Sequence, residues 1–495
     1  MRTSVRQRIA DIARMAPGET ALVGFDTELA EQSLSWRELA EMTDDLVGLL
    51  RALPDRRDTP CVVVEAANTV HSAIGIAAVL SAELPLFPLN PAAPPAERAG
   101  IFSFLGRRFG RVHVMDGRHQ LHEADIGRAA GTAPKPWPEA APAFMLATGG
   151  SSGVPKISMH RDPLGYDPAR TPAMAIRNTG WRAGQRQLIV GPLYHAAPFT
   201  VFLDALLDRN TTVLQPFFAP SWTIRLVAGH QIEWMQLTPT HMREILRLRP
   251  DSASFASIKA VLHTAARCDA DTKRGWIDLL GAQRLYELYG ATEDIGVTLV
   301  RGDEWLARPG TVGRGVLTQI AIMDDNRRRV PPGTVGTVFM RSPGRPERRG
   351  YVDNRMPETT VDGFATVGDR GRVDRDGYLF LEPRKHDVIN VGGEKVDPSE
   401  VETVVLGHPK VLDTVAVGVP HETLGFVVGV HVMLKPSSTM SNGELIAHCG
   451  QRLATHKIPK QVTFVEEIPR SAAGKVQRWR LAESGRGGER DASIR

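Results

Sequence analysis

Cysteine is scarce in this chain, whose 495 residues include only Cys61, Cys268 and Cys449. The three are far apart in the sequence and odd in number, so the sequence predicts neither a disulfide framework nor a C-x-x-C metal site. Few, well-separated thiols are typical of proteins from reducing compartments, and we therefore expect a cytoplasmic protein.

The sequence also lacks a strong excess of charge of either sign. Lysine and arginine number 60, aspartate and glutamate number 56, and the formal net charge is +4. Spread over this length, that balance gives no case for nucleic acid or an anionic membrane as a partner.

Long hydrophobic runs are absent as well. The longest apolar stretch, Ala73 to Leu89, is interrupted by one glutamate and two prolines. A membrane-spanning helix needs about 20 consecutive apolar residues, so we expect no such span. Residues 1–15 carry four arginines without an apolar run, which excludes a secretory signal. Their helical apolar spacing favours an ordinary first helix over an Arg-rich transit peptide.

What the chain does have is enough apolar sequence for a large core, with 42% hydrophobic and 23% charged residues. Its length predicts two to four domain-sized units of about 100–200 residues each. In the first two thirds, strand patterns alternate with helix patterns, as where Cys61–Glu65 is followed by an Ala-rich helix over Val70–Ala82. This alternation predicts an α/β architecture with largely buried sheets.

The pattern changes twice toward the C-terminus. From about Gly310, short strand patterns joined by Gly-rich turns predict a β-rich subdomain. From about Arg384, two strand patterns at Val411–Val419 and Phe426–Leu434 and a helix pattern at Ser441–Leu453 predict a small α+β unit.

A Gly/Ser-rich segment, TGGSSGVPK, runs from Thr148 to Lys156. Glycines let a backbone approach a ligand closely, while hydroxyls, free backbone N–H groups and a lysine suit phosphate oxygens. The spacing is not that of the Walker loop. The segment predicts a phosphate-binding loop, and an ordinary connecting loop is the alternative. Its glycines are Gly149, Gly150 and Gly153, and its hydroxyl residues are Thr148, Ser151 and Ser152.

Four further motifs follow in order: YELYGATE at Tyr286–Glu293, VGDRGRVDRDGY at Val367–Tyr378, RKHDVINVGGEKV at Arg384–Val396 and PRSAAGKVQR at Pro469–Arg478. Together with Thr148–Lys156 they resemble the ordered motifs of the adenylate-forming superfamily, which contains acyl-CoA synthetases, luciferases and nonribosomal adenylation domains. The acyl- and aryl-CoA synthetase branch is the one that the chain looks most like.

The resemblance implies a specific fold and domain order. We expect a large N-terminal domain of layered α/β sheets with a β-rich subdomain, and a small mobile α+β C-terminal domain. Residues 1–383 would form the adenylation domain, 384–387 the hinge, 388–482 the C-terminal lid and 483–495 a flexible tail. His386 stands at the hinge position, where relatives usually have aspartate or lysine.

The implied reaction joins a carboxylic acid to the α-phosphate of ATP, releasing pyrophosphate, and then transfers the acyl group to the thiol of coenzyme A. The motifs place nucleotide-binding residues in the phosphate segment, in an adenine-binding segment, around the ribose and at the hinge. By resemblance they are Thr148, Gly149, Gly150, Ser151, Ser152, Gly153, Lys156, Thr264, Ala265, Ala266, Tyr289, Gly290, Ala291, Thr292, Asp369 and Arg384. Relatives usually carry Gly-Gly-Ala-Pro at 264–267, so this chain departs from the family there, as it does at Gly149.

The resemblance also implies which residues act in the chemistry. Lys475 would bridge the carboxylate and the α-phosphate as negative charge develops, and Thr292 would contact the same phosphate. Glu293 would be the Mg²⁺ ligand, since a hard cation prefers oxygen donors. His195 would gate the thiol or polarise the carboxylate, and a structural histidine is the alternative. Gly392 and Gly393 would line the pantetheine tunnel.

Three functions remain open at this point. The leading hypothesis is a carboxylic acid–CoA ligase; the others are an acyl- or aryl-AMP ligase that loads a carrier-protein thiol, and a catalytically inactive scaffold. Adenylation domains for amino acids carry an aspartate where His195 stands, so an amino-acid substrate is disfavoured. The mostly apolar candidate pocket residues, His195–Phe199, Met235–Pro239 and Ala291–Val297, favour a bulky hydrophobic or cyclic acid. The sequence does not indicate the oligomeric state.

Overall fold

The computed structural model describes residues 2–53, 60–126, 143–148, 156–160, 165–342, 357–382, 388–470, 476 and 481. The chain forms two compact units, one of Met1–Val367 with Gly371–Phe380 and one of Gly368–Arg370 with Leu381–Arg495. The first is a layered α/β unit with a β-rich part and the second is a small α+β unit. The predicted fold class is thereby confirmed.

The helices, in chain order, are α1 (Val5–Met15), α2 (Trp36–Arg51), α3 (Val70–Ser81), α4 (Pro95–Phe109), α5 (Met174–Arg177), α6 (Ala196–Leu207), α7 (Pro220–Gly229), α8 (Pro239–Arg247), α9 (Ala270–Leu280), α10 (Gly302–Ala307), α11 (Pro398–Leu406) and α12 (Asn442–Gly450). The strands are β1 (Thr20–Phe25), β2 (Glu31–Ser35), β3 (Cys61–Glu65), β4 (Leu86–Leu89), β5 (Val112–Met115), β6 (Leu121–Glu123), β7 (Phe144–Thr148), β8 (Lys156–His160), β9 (Arg186–Ile189), β10 (Thr211–Leu214), β11 (Trp234–Leu237), β12 (Ala260–His263), β13 (Leu285–Gly290), β14 (Val297–Arg301), β15 (Thr311–Gly315), β16 (Gln319–Met323), β17 (Gly336–Arg341), β18 (Glu358–Thr359), β19 (Ala365–Thr366), β20 (Arg370–Val373), β21 (Leu379–Glu382), β22 (Ile389–Val391), β23 (Glu394–Val396), β24 (Val411–His421), β25 (Gly425–Leu434) and β26 (Gln461–Phe464).

The first unit contains a six-stranded sheet in the order β6-β5-β3-β4-β7-β8. Its four inner strands are parallel, and the edge strands β6 and β8 pair antiparallel. The inner strand β3 is a run of one cysteine and three valines before its final glutamate, and those four apolar residues are buried. Such a continuous apolar run is typical of a parallel strand that is covered on both faces.

The larger sheet of this unit runs in the order β18-β19-β17-β20-β21-β15-β14-β13-β12-β11-β9-β10-β1-β2, and β16 pairs with β17. Strands β9 to β13 are parallel to one another, whereas β14 and β15 are antiparallel. Because the carboxyl ends of parallel strands lie at the same edge, the segments that follow β9, β11, β12 and β13 lie along one edge of this sheet. Ligands bind at such an edge in open α/β sheets.

Helices α3 and α6 lie in the core between the two sheets. One buried cluster joins both helices to residues of the six-stranded sheet, such as Val62 and Leu86, and of the larger sheet, such as Ile189 and Leu262. A helix covered on all sides has no need of a polar face, which explains the apolar sequences of both. Even so, no helix within the described ranges is long and apolar enough to cross a bilayer.

The second unit is built on a five-stranded sheet in which β23-β22-β25-β24 are neighbours and β26 pairs with β25. The strands β24 and β25 form a long antiparallel hairpin of 11 and 10 residues. Val401 and Val405 of α11 and Leu445 of α12 belong to the buried valine-rich cluster of this sheet. The unit therefore has a hydrophobic core of its own.

Candidate active site

The predicted phosphate segment begins and ends on two neighbouring strands. Strand β7 ends at Thr148, β8 begins at Lys156, and these two residues are direct antiparallel partners. Only the backbone of Thr148 and Lys156 is described, and Gly149, Gly150, Ser151, Ser152 and Gly153 lie outside the described residues. The two ends of the segment are therefore held next to each other by the sheet.

A hydrogen bond joins this part of the chain to the motif that contains Thr292. Ser158, the third residue of β8, donates from its Oγ to the backbone oxygen of Thr292 over 3.1 Å. The following backbone turns tightly, with the Asp294 amide donating to the Ala291 oxygen at 2.9 Å. The structure thus brings the strand that starts at Lys156 beside the turn that carries Glu293.

The predicted adenine segment follows β12 at the carboxyl edge of the large sheet. Its first residue, Thr264, is buried, and its amide donates to the Leu237 oxygen at 3.2 Å. Ala265 has a φ of +80°, in the left-handed region where relatives carry glycine. For a residue with a β-carbon this conformation costs about 1–2 kcal/mol. The segment therefore makes a glycine-like turn in spite of its departures from the family sequence.

The residues after β13 lie at the same edge. Tyr289 and Gly290 are the last two residues of β13, and Ala291, Thr292 and Glu293 follow directly, all partly buried except the exposed Gly290. Because β12 and β13 are parallel neighbours, this segment lies beside Thr264, Ala265 and Ala266. Two of the predicted nucleotide-binding segments are thus adjacent in the structure.

His195 lies near this edge as well, after β9. It is the residue that directly precedes α6, and its backbone oxygen accepts a hydrogen bond from the Phe199 amide at 3.0 Å. The ring of Tyr194 is 4.7 Å from the His195 ring, and burial raises the pKa of Tyr194 to about 12. The phenol beside His195 is therefore neutral over the physiological pH range.

Sequence reasoning missed Asn68, which fixes the backbone that leads to His195. Its side chain is 3% exposed and lies between β3 and α3 in the sequence. Nδ2 donates to the oxygens of Gly191 and Gln215 at 3.0 Å each, and Oδ1 accepts from the Leu193 amide at 3.0 Å. No local pattern marks this residue, because its partners are more than 120 positions away.

Asn68→Ala is expected to lower the free energy of unfolding by about 2–3 kcal/mol, since three buried backbone groups would lose their partner. Urea unfolding of the purified protein measures the change. Asn90→Ala is the matched control, because the Asn90 side chain caps an exposed turn and its removal should have a smaller effect. Equal losses for the two variants would contradict the role given to Asn68.

Asp369, the predicted ribose ligand, belongs with Gly368 and Arg370 to the second compact unit. Its side chain is 8% exposed, and it directly precedes β20. Arg384 and the hinge residue His386 lie outside the described residues. The roles of Asp369 and Arg384 in holding ATP remain predictions.

The glycine pair of the predicted thiol tunnel forms the turn between β22 and β23. Gly392 and Gly393 have φ values of +58° and +96°, and the Gly393 amide donates to Asn390 Oδ1 at 3.1 Å. A β-carbon on Gly392 would lie 2.9 Å from Leu424 Cδ2. Backbone conformation and close packing are therefore sufficient reasons for glycine here, whether or not a pantetheine arm passes.

Lys475 lies outside the described residues, but the two residues that flank its segment are described. Arg470 and Val476 form an antiparallel β-bridge with each other. The Arg470 guanidinium is 2.6 Å from Asp413 Oδ2 on β24, and Val476 packs against the buried cluster of Val415 and Val417. Both ends of the 471–475 segment are thereby attached to the second unit.

The structure divides the candidate residues of the acid pocket between two clusters. Met235 and Leu237 belong to the buried cluster that contains Met242 and Ile245 of α8. Phe199 of α6 and Leu262 of β12 belong to the cluster on the other face of the sheet. Because side chains alternate along a strand, Gln236 is the β11 residue that shares the face of Leu262. The structure therefore places Met235 and Leu237, two of the candidate pocket residues, in a different cluster from Phe199.

The donors present decide whether the site suits a Mg²⁺ ion. Within the described ranges, no group of three or more histidine, cysteine or carboxylate side chains could hold a metal ion. Mg²⁺ is typically bound by one or two carboxylates together with substrate phosphates and water. The partly buried carboxylate of Glu293, on a turn bonded to the Lys156 strand, fits that arrangement.

Two family models match the chain. The model for "AMP-binding enzyme" matches residues 9–351, and the model for "AMP-binding enzyme C-terminal domain" matches residues 400–475.

Curated relatives are similar over the larger part of the chain. Oxalate–CoA ligase of Saccharomyces cerevisiae is 30% identical over 349 residues, which are 69% of this chain and 63% of that protein. The fatty acid–[acyl-carrier-protein] ligase ScoC of Streptomyces coeruleorubidus is 29% identical over 352 residues, 69% of this chain and 67% of that protein. The match to the yeast ligase thus spans less than two thirds of its length.

A solved structure is similar over nearly the whole chain. The o-succinylbenzoate–CoA synthetase of Bacillus subtilis, in complex with the acyl-adenylate intermediate OSB-AMP, has a TM-score of 0.76 at 21% identity. The alignment covers 98% of this chain and 99% of that one. At this level of identity the comparison establishes the shared fold.

Proposed function

Because the chain belongs to the AMP-binding enzyme family, as its five motifs predict, we propose that it is an ATP-dependent carboxylic acid–CoA ligase. One observation supports this above the others. Ser158 on β8 holds the Thr292 turn, so that the strand leading from the phosphate segment lies beside the segment after β13. The predicted phosphate segment and the carboxylate-bearing turn are therefore close together, where a strand of the six-stranded sheet contacts the segment after a strand of the larger sheet.

In the proposed first step, a carboxylate oxygen of the acid attacks the α-phosphorus of ATP, and the bond to the β-phosphate breaks with release of pyrophosphate. Lys475 and Thr292 would donate to the oxygens on which charge develops, and the Thr148–Lys156 segment would hold the departing phosphates. Glu293 would hold Mg²⁺, which neutralises phosphate charge when bound. Preorganised donors of this kind supply most of the rate enhancement in such chemistry.

In the proposed second step, the thiol sulfur attacks the carbonyl carbon of the acyl-adenylate, a thioester forms and AMP leaves. We propose that residues 388–482 act as a lid that turns about a hinge at 384–387, with 1–383 as the adenylation domain. Gly392 and Gly393 would then form part of the path for the pantetheine arm. The chain separates into its two compact units near Phe380, which supports a domain boundary in this region.

The acid itself is proposed only as a class. Leu193 and Phe199, close to His195 in the sequence, and Leu262 of β12 belong to one apolar cluster, and an apolar surrounding favours a bulky hydrophobic or cyclic acid. Gln236 places one buried amide on the same face, so a ring that carries a hydroxyl or carbonyl is compatible with it. Residue 195 is a histidine and not an aspartate, so it supplies no carboxylate to pair with a free α-ammonium group.

A panel of acids tests the proposal through release of pyrophosphate from Mg·ATP. We expect one or more alkyl, aryl or hydroxyaryl acids to stimulate release above the blank without acid, and amino acids to give none. Addition of CoA should then release AMP and form the thioester. If the protein binds Mg·ATP but no acid of the panel stimulates release of pyrophosphate, it is an inactive scaffold, contrary to the proposal.

A second candidate function is loading of a carrier protein, which the similarity to the ligase ScoC favours. The chemistry is the same, since both acceptors present a pantetheine thiol. Comparing free CoA with a pantetheinylated carrier protein at equal thiol concentration separates the two. If thioester forms with the carrier protein and not with free CoA, the second function is supported and the CoA ligase function is contradicted.

We further propose a reducing, cytoplasmic location. All three cysteines are free thiols in the structure. Such thiols persist in reducing compartments.

A further inference from the structure

An ion pair lies in the interior of the first unit. Lys273 Nζ contacts Glu287 Oε2, and the two side chains are only 3% and 8% exposed. Burial raises the pKa of Glu287, and the ammonium of Lys273 opposes that rise. Taking two charges out of water costs several kcal/mol per ion, so a pair of this kind is weak evidence for a gain in stability.

The place of the pair in the chain suggests another role. Lys273 lies in the first part of α9, which begins after the three residues that follow the adenine segment, and Glu287 lies on β13, three residues before Gly290. The pair therefore fastens the helix that follows one predicted nucleotide-binding segment to the strand that leads into the next. Glu287 lies within the Tyr286–Glu293 motif, but neither Glu287 nor Lys273 is among the residues predicted to contact ATP.

The start of the adenine segment lies beside the same pair. His263, the last residue of β12, is the register partner of Glu287 and is fully buried. Burial and the Lys273 charge both lower the pKa of His263, so its ring is neutral. Within the described part of the chain, neither ring nitrogen has a hydrogen-bond partner. The segment thus starts next to this polar site inside the protein.

The adenine segment needs such support because its backbone is strained. Ala265 is in the left-handed region, and strained residues persist where the surrounding structure over-determines them. The C-terminal side of the segment is held by Asp269, which accepts from the Thr272 amide at 2.8 Å and lies 3.2 Å from the Arg243 guanidinium. The pair then fixes α9 itself against β13.

We propose that Lys273 and Glu287 are positioning residues for the nucleotide: their ion pair sets the separation between the adenine segment and the Tyr289–Glu293 segment. The inference rests on the proposed use of ATP. The pair would change the affinity for the nucleotide by setting the positions of these segments, without contacting the substrate itself.

The test uses Glu287→Gln, Lys273→Met and the double variant Lys273→Met/Glu287→Leu in the full chain. Calorimetry measures binding of Mg·ATP without any acid, and steady-state assays give KM for ATP and for the acid. A displaced segment should raise Kd and KM for ATP by roughly 10- to 100-fold. KM for the acid, and kcat at saturating ATP, should change little.

The double variant decides between positioning and mere stability. Replacing both buried charges with apolar side chains commonly preserves or raises stability, so this variant should fold even if a single variant does not. We expect its ATP affinity to stay low although its Tm is normal. Normal ATP affinity in the folded double variant would overturn the inference.

Arg98→Met serves as the control, since it removes another partly buried ion pair of the first unit, Arg98–Glu65 at 2.5 Å. Its Tm should fall while ATP binding stays normal. Failure of the wild-type protein to bind Mg·ATP would contradict the proposed function. Equal ATP affinity of the wild-type and double-variant proteins would contradict only the role of the pair.

Discussion

Lys475→Ala is expected to lower the rate of adenylate formation by roughly 10²–10³-fold, the usual effect of removing one donor that stabilises developing charge. The ordinary pKa of a lysine side chain is about 10.4, so the ammonium is its normal form at neutral pH. The ammonium would act between the carboxylate and the α-phosphate, where two anions must approach each other. Pyrophosphate release with a cognate acid measures this half-reaction.

The same variant should still convert a supplied acyl-adenylate into the thioester, because that step needs no contact between Lys475 and the α-phosphate of ATP. Lys460→Ala is the matched control, an exposed lysine of the same unit, and both of its half-reactions should be normal. Equal loss of both half-reactions in Lys475→Ala would contradict the assigned role.

Glu293→Ala should lower adenylate formation by roughly 10²-fold or more, since a metal ion supplies several kcal/mol of charge stabilisation and each 1.36 kcal/mol is a factor of ten. The carboxylate is partly buried on the turn that Ser158 holds. Loss of the ligand should raise the Mg²⁺ concentration needed for half-maximal rate. Titrating Mg²⁺ at fixed ATP measures both effects.

Excess Mg²⁺ should restore part of the rate of Glu293→Ala, because the substrate phosphates supply the other oxygen ligands. Asp325→Ala removes an exposed carboxylate on a distant turn of the same unit and should leave the Mg²⁺ titration unchanged. An unaltered Mg²⁺ requirement in Glu293→Ala would show that this carboxylate does not hold the ion.

Much of the fold follows from local patterns. The valine run predicts β3, and the alanine-rich run predicts α3, which ends at Ser81 instead of Ala82. The strands β24 and β25 were predicted within two residues at each end. Long, regular stretches are predictable because their period and composition agree with their environment.

Helix α6 was not predicted, and its sequence explains why. AAPFTVFLDALL contains a proline, two phenylalanines and two β-branched residues, and it is apolar on nearly every side. Such a sequence has no amphipathic period and has modest helix propensity. Burial between the two sheets, which depends on distant parts of the chain, favours the helix.

The candidate site was predictable as far as its motifs extend. The segments at Thr264–Ala266 and Tyr289–Glu293 lie together because each follows a parallel strand, as the α/β pattern implies. Asn68 and the Lys273–Glu287 pair were not found, since nothing in their neighbouring residues indicates a buried partner. Their roles depend on contacts between elements, which a single sequence does not display.

Ala265 has a consequence for how this chain can vary over evolution. A return to glycine would relieve about 1–2 kcal/mol of backbone strain. Glycine would also lower the free energy of unfolding by about 0.4–1 kcal/mol, because it makes the unfolded chain more flexible. The relief of strain is the larger effect, so glycine is favoured over alanine at this position by up to about 1.6 kcal/mol. That difference is small beside the usual 5–15 kcal/mol free energy of unfolding, so the turn can be kept with either residue.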